Sequence, residues 1–239
     1  MTTRDERENE TDPGELRDAG CMEGEVAEAE AAALSDAGFP ESFSATAFDL
    51  MEPVATADVF IQAGHFNTPD DRTGGTGPLG REIDWTPIVV NEATRILREA
   101  GISVVKEDAS IKKTGKQYRV KVAIFIHFDA SSPPSRAGAS IGYDDASDKS
   151  LADAWRQLYT RYWKFRWMKD NYTKNLSGYY GYRHTSTTDG EVLLELGDLT
   201  VLEQAKWLKP RLKWLGALVA HFAATRVGSS AVPDPGPFT

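Results

Sequence analysis

The sequence predicts a single α/β domain built on a mainly parallel, twisted sheet flanked by helices. Three observations predict it. Apolar runs of strand length alternate with longer segments of helical spacing. The strongest runs are apolar almost throughout, as strands buried on both faces are. Polar, chemistry-bearing residues stand where three of these runs end, and parallel sheets gather ligands at that edge.

The elements follow in chain order. Ala57–Ala63 reads as a strand that breaks at Gly64. Residues 64–81 hold Gly74, Gly75, Gly77, Gly80, Pro69 and Pro78, which predicts an irregular loop. Helical spacing runs through Ile88, Val89, Ala93, Ile96 and Leu97, giving a helix over Glu82–Ala100 with Gly101 as its stop. Ser103–Glu107 is a short strand and Tyr118–Phe128 a strong one. A long helix is expected from Ser147 or Asp148 to about Lys169, with Leu151, Ala154, Leu158 and Tyr162 on one face. Glu191–Leu196 is an apolar strand, and Val201–Arg226 is helical, with Pro210 starting or kinking its second part.

Charge divides the chain unevenly. Of 36 acidic and 27 basic residues, positions 1–50 hold 14 and 3, a net of −11, so the remainder is near neutral at +2. A near-neutral body gives no reason to expect nucleic acid. Residues 1–50 are poor in aromatics and rich in Glu, Asp and Ala, and are expected to be a flexible, solvated segment or one that docks a protein partner. Glu23–Leu34 is helix-prone but marginal alone. The catalytic body is expected over 51–227, and 228–239 as a flexible tail rich in Pro, Gly and Ser. Cys21 is the sole cysteine, which excludes an intrachain disulfide and a thiolate-rich metal centre. There is no secretory signal and no membrane span, so the expected location is cytoplasmic as synthesised, with release from the cell needing another route.

The chemistry is carried by histidines and carboxylates. Val59-Phe-Ile-Gln-Ala-Gly-His65 and Val122-Ala-Ile-Phe-Ile-His127 each end an apolar run on a histidine, and Glu82 heads the helix between them. Two imidazoles and a carboxylate make a three-ligand Zn²⁺ site of the hydrolytic kind, with a fourth position for water. Glu195, at the end of a third strand, suits a general base and acid. Each residue also has a plainer reading. A histidine after a strand is commonly a loop or core residue. Glu82 is favoured in a first helical turn by the dipole, and Glu195 could be a buried acid paired to a base. His184, in the polar loop before the third strand, is a candidate oxyanion or substrate contact or else a solvated loop residue. The aromatic and basic stretch 155–182 combines core positions with candidate ligand-facing ones.

Together these residues resemble the zinc-dependent N-acetylmuramoyl-L-alanine amidases of the type-3, cell-wall hydrolase family. The resemblance rests on Ala63-Gly64-His65, the loop through Gly74-Gly75-Thr76-Gly77, Arg81-Glu82, Phe125-Ile126-His127-Phe128-Asp129-Ala130 and Leu193-Leu194-Glu195-Leu196-Gly197-Asp198-Leu199-Thr200. It covers about residues 57–226. It implies an amidase or zinc-peptidase-like fold, with zinc on His65, Glu82 and His127 and Glu195 as general base and acid. The implied reaction cuts the amide between the lactyl group of N-acetylmuramic acid and L-alanine in peptidoglycan or its fragments. Asp129 stands where the family motif has Asn, and Asp198 where it has Phe. These departures leave a second expectation open, an intracellular zinc amidohydrolase of the same fold acting on a non-wall amide in a biosynthetic or processing pathway.

Overall fold

The computed structural model describes residues 54–69, 74–132 and 137–239, all within the compact unit Met51–Thr239. The acidic segment 1–50, with its helix-prone stretch and Cys21, lies outside the described residues.

Five strands form the main sheet in the order β4-β1-β5-β7-β6: β1 Ala55–Ala63, β4 Val104–Asp108, β5 Tyr118–Asp129, β6 Ser140–Gly142 and β7 Thr185–Asp198. All neighbours are parallel except β6, which runs antiparallel to β7 at the edge. The long runs are apolar throughout because both faces are covered. Val59, Ile61, Val122, Ile124, Ile126, Val192 and Leu194 face a core shared with the helices, and Phe60, Phe125 and Leu193 face a smaller aromatic core. Helices α1 Glu82–Glu99, α2 Lys149–Thr160, α4 Leu202–Leu208 and α5 Leu212–Arg226 supply the first cover. The second is built by residues 172–182, including the short α3 Lys174–Ser177.

Four sequence expectations need correction. The helix expected to reach Lys169 ends at Thr160. Beyond it Trp163, Phe165 and Trp167 recur every second residue, the period of an extended chain. Accordingly Ala139 pairs with Trp167, and Met168 N–H donates to the Ala139 carbonyl at 2.8 Å. The third strand begins at Thr185 and not Glu191, because the Thr- and Ser-rich segment before it pairs with Tyr118–Val120. The glycine-rich loop contains a small antiparallel pair, β2 Thr76–Gly77 with β3 Gly80–Arg81. The C-terminal segment read as flexible is packed instead. Val232 is buried, the Gly236 carbonyl accepts from Trp214 Nε1 at 2.8 Å, and the Val232 carbonyl lies 2.9 Å from His221 Nδ1.

Toward the amino half of β7, Glu191 is buried beside Asp148 with Asp144 at the rim. Burial, helped by those two carboxylates and opposed by a hydrogen bond from Thr185, pushes the Glu191 carboxyl up to about 8. A carboxyl raised on folding holds its proton longer in the native state. Its stabilising contribution is therefore complete below about 4.5 and is lost as pH rises to about 8. Glu191→Gln should leave stability near wild type at pH 4.5 and exceed it at pH 8, the gap widening by at most about 1.4 kcal/mol per pH unit. Denaturant melts of both proteins across that range check this; a constant gap would refute it.

Candidate active site

Three neighbouring strands deliver the site residues to one edge. Ala63 pairs with Ile126, and His127 pairs with Glu195, so Gly64, His127 and Glu195 stand in one row across β1, β5 and β7. His65 follows as the first residue beyond the row, in the left-handed region at φ 56°. Glu82 enters from the head of α1, where the helix dipole favours a carboxylate. Thr86, one turn on, donates its hydroxyl to the Gly64 carbonyl at 2.8 Å and ties the helix to the end of β1.

The glycines in this region make room for the side chains that meet here. A Cβ on Gly64 would clash with the His127 ring, closest to Cε1, Nε2 and Nδ1. One on Gly74, itself at φ +66°, would lie 2.5 Å from Glu82 Oε2 and 2.6 Å from His65 Cγ. The His127 ring is held edge-on between His65, at 5.2 Å between centroids, and Tyr179, at 5.0 Å.

Glu82 is the hub. Its Oε1 lies 2.9 Å from His127 Nδ1 and accepts from the Phe128 amide at 3.1 Å; its Oε2 accepts from the Gly75 amide at 2.8 Å and lies 3.9 Å from His65 Nε2. Burial pushes this carboxyl up, but His127, His65 and the Gly75 amide outweigh it and hold it below the usual range. Ligand atoms of His65, Glu82 and His127 lie within 4.8 Å of one another, a span one cation can bridge. Glu195 behaves oppositely. Burial first, then the charges of Asp129, Glu82 and Asp198, push its carboxyl well above the usual range. Its Oε2 is buried without a hydrogen-bond partner.

These residues line an open cleft of about 310 Å³, together with Phe128, Asp129 and Ala130. No lysine or arginine among the described residues lines it. A buried carboxylate between two imidazoles, with further acids beside it and no fixed cation, fits the donor set and charge of a divalent metal.

His184 does not join them. It precedes β7 at the amino edge of the sheet, with Nδ1 3.0 Å from the Lys116 carbonyl. Ten residues of strand separate Thr185 from Glu195, roughly 30 Å. Sequence reasoning singled out neither Gln62 nor, individually, Tyr172 and Tyr179. Gln62 is buried and fully used: its amide donates to the Asp108 carbonyl at 3.0 Å and to Tyr180 at 3.3 Å, and accepts from Tyr179 at 2.7 Å. That pins the Tyr179 ring against His127. Tyr172 donates to Asp129 on the rim. Burial raises the Asp129 carboxyl despite that bond, with Asp198 adding to the rise. Asp198 is a structural staple, accepting from the Ser131 and Thr200 amides at 2.8 and 2.7 Å. The signal for Gln62 was present in the sequence, as a lone amide inside an apolar strand.

No family model and no curated protein matches the chain. Solved structures do. AmiC2, an N-acetylmuramoyl-L-alanine amidase of Nostoc punctiforme, aligns over 72% of this chain and 94% of its own, at TM-score 0.52 and 19% identity. The fold is that of the N-acetylmuramoyl-L-alanine amidases. The amidase Ami1 from Mycobacterium smegmatis aligns over 74% and 99%, at TM-score 0.55 and 15% identity. The CwlD amidase of Clostridioides difficile, solved in complex with the GerS lipoprotein, aligns over 72% and 98%, at TM-score 0.55 and 14% identity. This amidase fold supplies the sheet edge on which the four acid and imidazole side chains meet. No described helix is long and apolar enough to cross a membrane.

Proposed function

We propose that this protein is a zinc-dependent amidase that cuts the amide between the lactyl group of N-acetylmuramic acid and L-alanine in peptidoglycan or its fragments. The observation that carries the reading is the meeting of His65, Glu82 and His127 with the unpartnered Glu195 Oε2 at one sheet edge. His65, Glu82 and His127 would hold the metal. Zinc, when bound, supplies a Lewis acid for the amide carbonyl and lowers the pKa of a water toward about 7.

Glu195 moves the proton. In amide hydrolysis water adds to the carbonyl carbon, and the C–N bond breaks as its nitrogen is protonated. Glu195 Oε2 takes a proton from the attacking water and returns it to the departing nitrogen of L-alanine. A carboxylate whose pKa is raised by burial is a stronger base toward the water than an exposed one, and it holds the proton until the departing nitrogen takes it. Tyr179 and Gln62 keep the His127 ring edge-on, and Asp129 with Tyr172 forms the wall that the substrate meets.

A second reading keeps the chemistry and changes the amide. It is favoured by Asp129, an acid on the cleft rim beside the base, and it takes a non-wall amide as substrate. One experiment separates the two. Purified protein is assayed for metal by plasma mass spectrometry, then incubated with sacculi and soluble muramoyl-peptides. Stoichiometric zinc with release of free L-alanyl peptide is the expected result. Zinc without release leaves the second reading standing, and a protein that binds no zinc overturns both.

A further inference from the structure

The row that carries Gly64, His127 and Glu195 has a fourth member. Strand β6 lies antiparallel to the far side of β7, and Ser140 is the residue opposite Glu195. Residues directly opposite in a ladder point to the same face, with Cβ atoms about 4.5–5.5 Å apart. The next pair, Ile141 with Leu194, faces the helix-covered core, which puts Ser140 on the site face with Glu195. Ser140 is fully buried, and its Oγ finds no hydrogen-bond partner. Glu195 Oε2 is buried without one as well. A buried hydroxyl left unsatisfied is destabilising, and an apolar residue would suit a purely structural edge strand better. Two orphaned polar atoms on opposed residues of one ladder call for each other.

We propose that Ser140 is a positioning residue for Glu195. Its hydroxyl donates to the Glu195 carboxylate when that group is charged, fixing the rotamer from which it takes the proton of water. Ser140 touches neither substrate nor metal; it acts through the base. On the other side its neighbour in the row is His127, whose Nδ1 is committed to Glu82. Hydrogen bonds to charged groups are the stronger class, and loose placement of a catalytic group is costly to rate.

The inference rests on the amidase reading, and its test keeps the two apart. Ser140→Ala and Ser140→Thr are compared with wild type, all loaded with zinc, on a soluble muramoyl-L-alanyl peptide. Ser140→Ala should lower kcat about tenfold, with KM, zinc affinity and melting temperature close to wild type. Ser140→Thr, which keeps the hydroxyl on a β-branched side chain suited to a strand, should recover most of the lost kcat. In a Glu195→Gln background Ser140→Ala should have no further effect. Wild-type kcat in Ser140→Ala overturns the positioning role while leaving the amidase reading intact. Parallel loss of zinc affinity and stability overturns it too, by making Ser140 structural. Absence of turnover in wild type strikes the amidase reading itself.

Discussion

Glu195→Gln is expected to cut turnover of a muramoyl-L-alanyl amide by roughly 10²–10⁴-fold, the usual worth of a placed general acid–base. Zinc should remain. The carboxylate hub of the proposed ligand set is Glu82, and Glu195 Oε2 is buried without a hydrogen-bond partner. Stability should hold or rise. The wild-type carboxyl is held above its ordinary range by burial and by Asp129, Glu82 and Asp198, and an uncharged amide of the same shape escapes that repulsion. The combination is diagnostic: activity falls, bound metal stays, and the melting temperature does not drop. Steady-state kinetics, metal analysis and a thermal melt on one preparation measure all three. Retained turnover would remove Glu195 from the mechanism.

Gly64→Ala is expected to destroy the proposed metal centre without touching any of its three candidate ligands. A Cβ there overlaps the His127 ring, and the ring cannot retreat. His65 and Tyr179 hold it edge-on, Tyr179 is tied to Gln62, and Glu82 lies against Nδ1. Either the ring leaves its place between Glu82 and His65, or β1 shifts away from β5. Overpacking of this kind costs about 1–3 kcal/mol, and zinc affinity should fall by at least tenfold. Chelator competition and a melt measure the two effects. Gly115→Ala is the control, since a Cβ there meets nothing within 4 Å. Wild-type zinc affinity in Gly64→Ala would mean that His127 binds no metal in this arrangement.

Much of this was legible in the sequence for a particular reason. The runs before His65 and His127 are apolar on both faces because the sheet is covered on both, so they stand out from the alternating pattern of an exposed strand. Parallel strands then bring their carboxyl ends to one edge, and residues over a hundred positions apart become neighbours. The same logic places His184 correctly once applied in reverse. What precedes a parallel strand lies at its amino edge, far from the site. Polarity alone drew attention to that loop, and polarity does not know direction. Ser140 was hidden because β6 has only three residues, too few for a periodic signal, and its meaning depends on pairing with a strand 55 positions away. Tyr172 and Tyr179 were hidden among ten aromatics between 155 and 182. Trp155 and Tyr159 serve the helix-side core, whereas Tyr172 and Tyr179 belong to the opposite cover, and composition cannot sort one set from the other.

The row across the sheet has a consequence for how this chain could change. His127 and Glu195 stand on adjacent strands, so the interval between the proposed ligand and the proposed base is a strand spacing, about 4.8 Å between backbones. Backbone hydrogen bonds set it, and no loop does. Residues on the rim, such as Asp129 and Ala130, can be exchanged without altering that interval. On the proposed chemistry, a lineage built on this frame is free to try new amides at the mouth of the cleft while the distance over which the proton travels stays fixed.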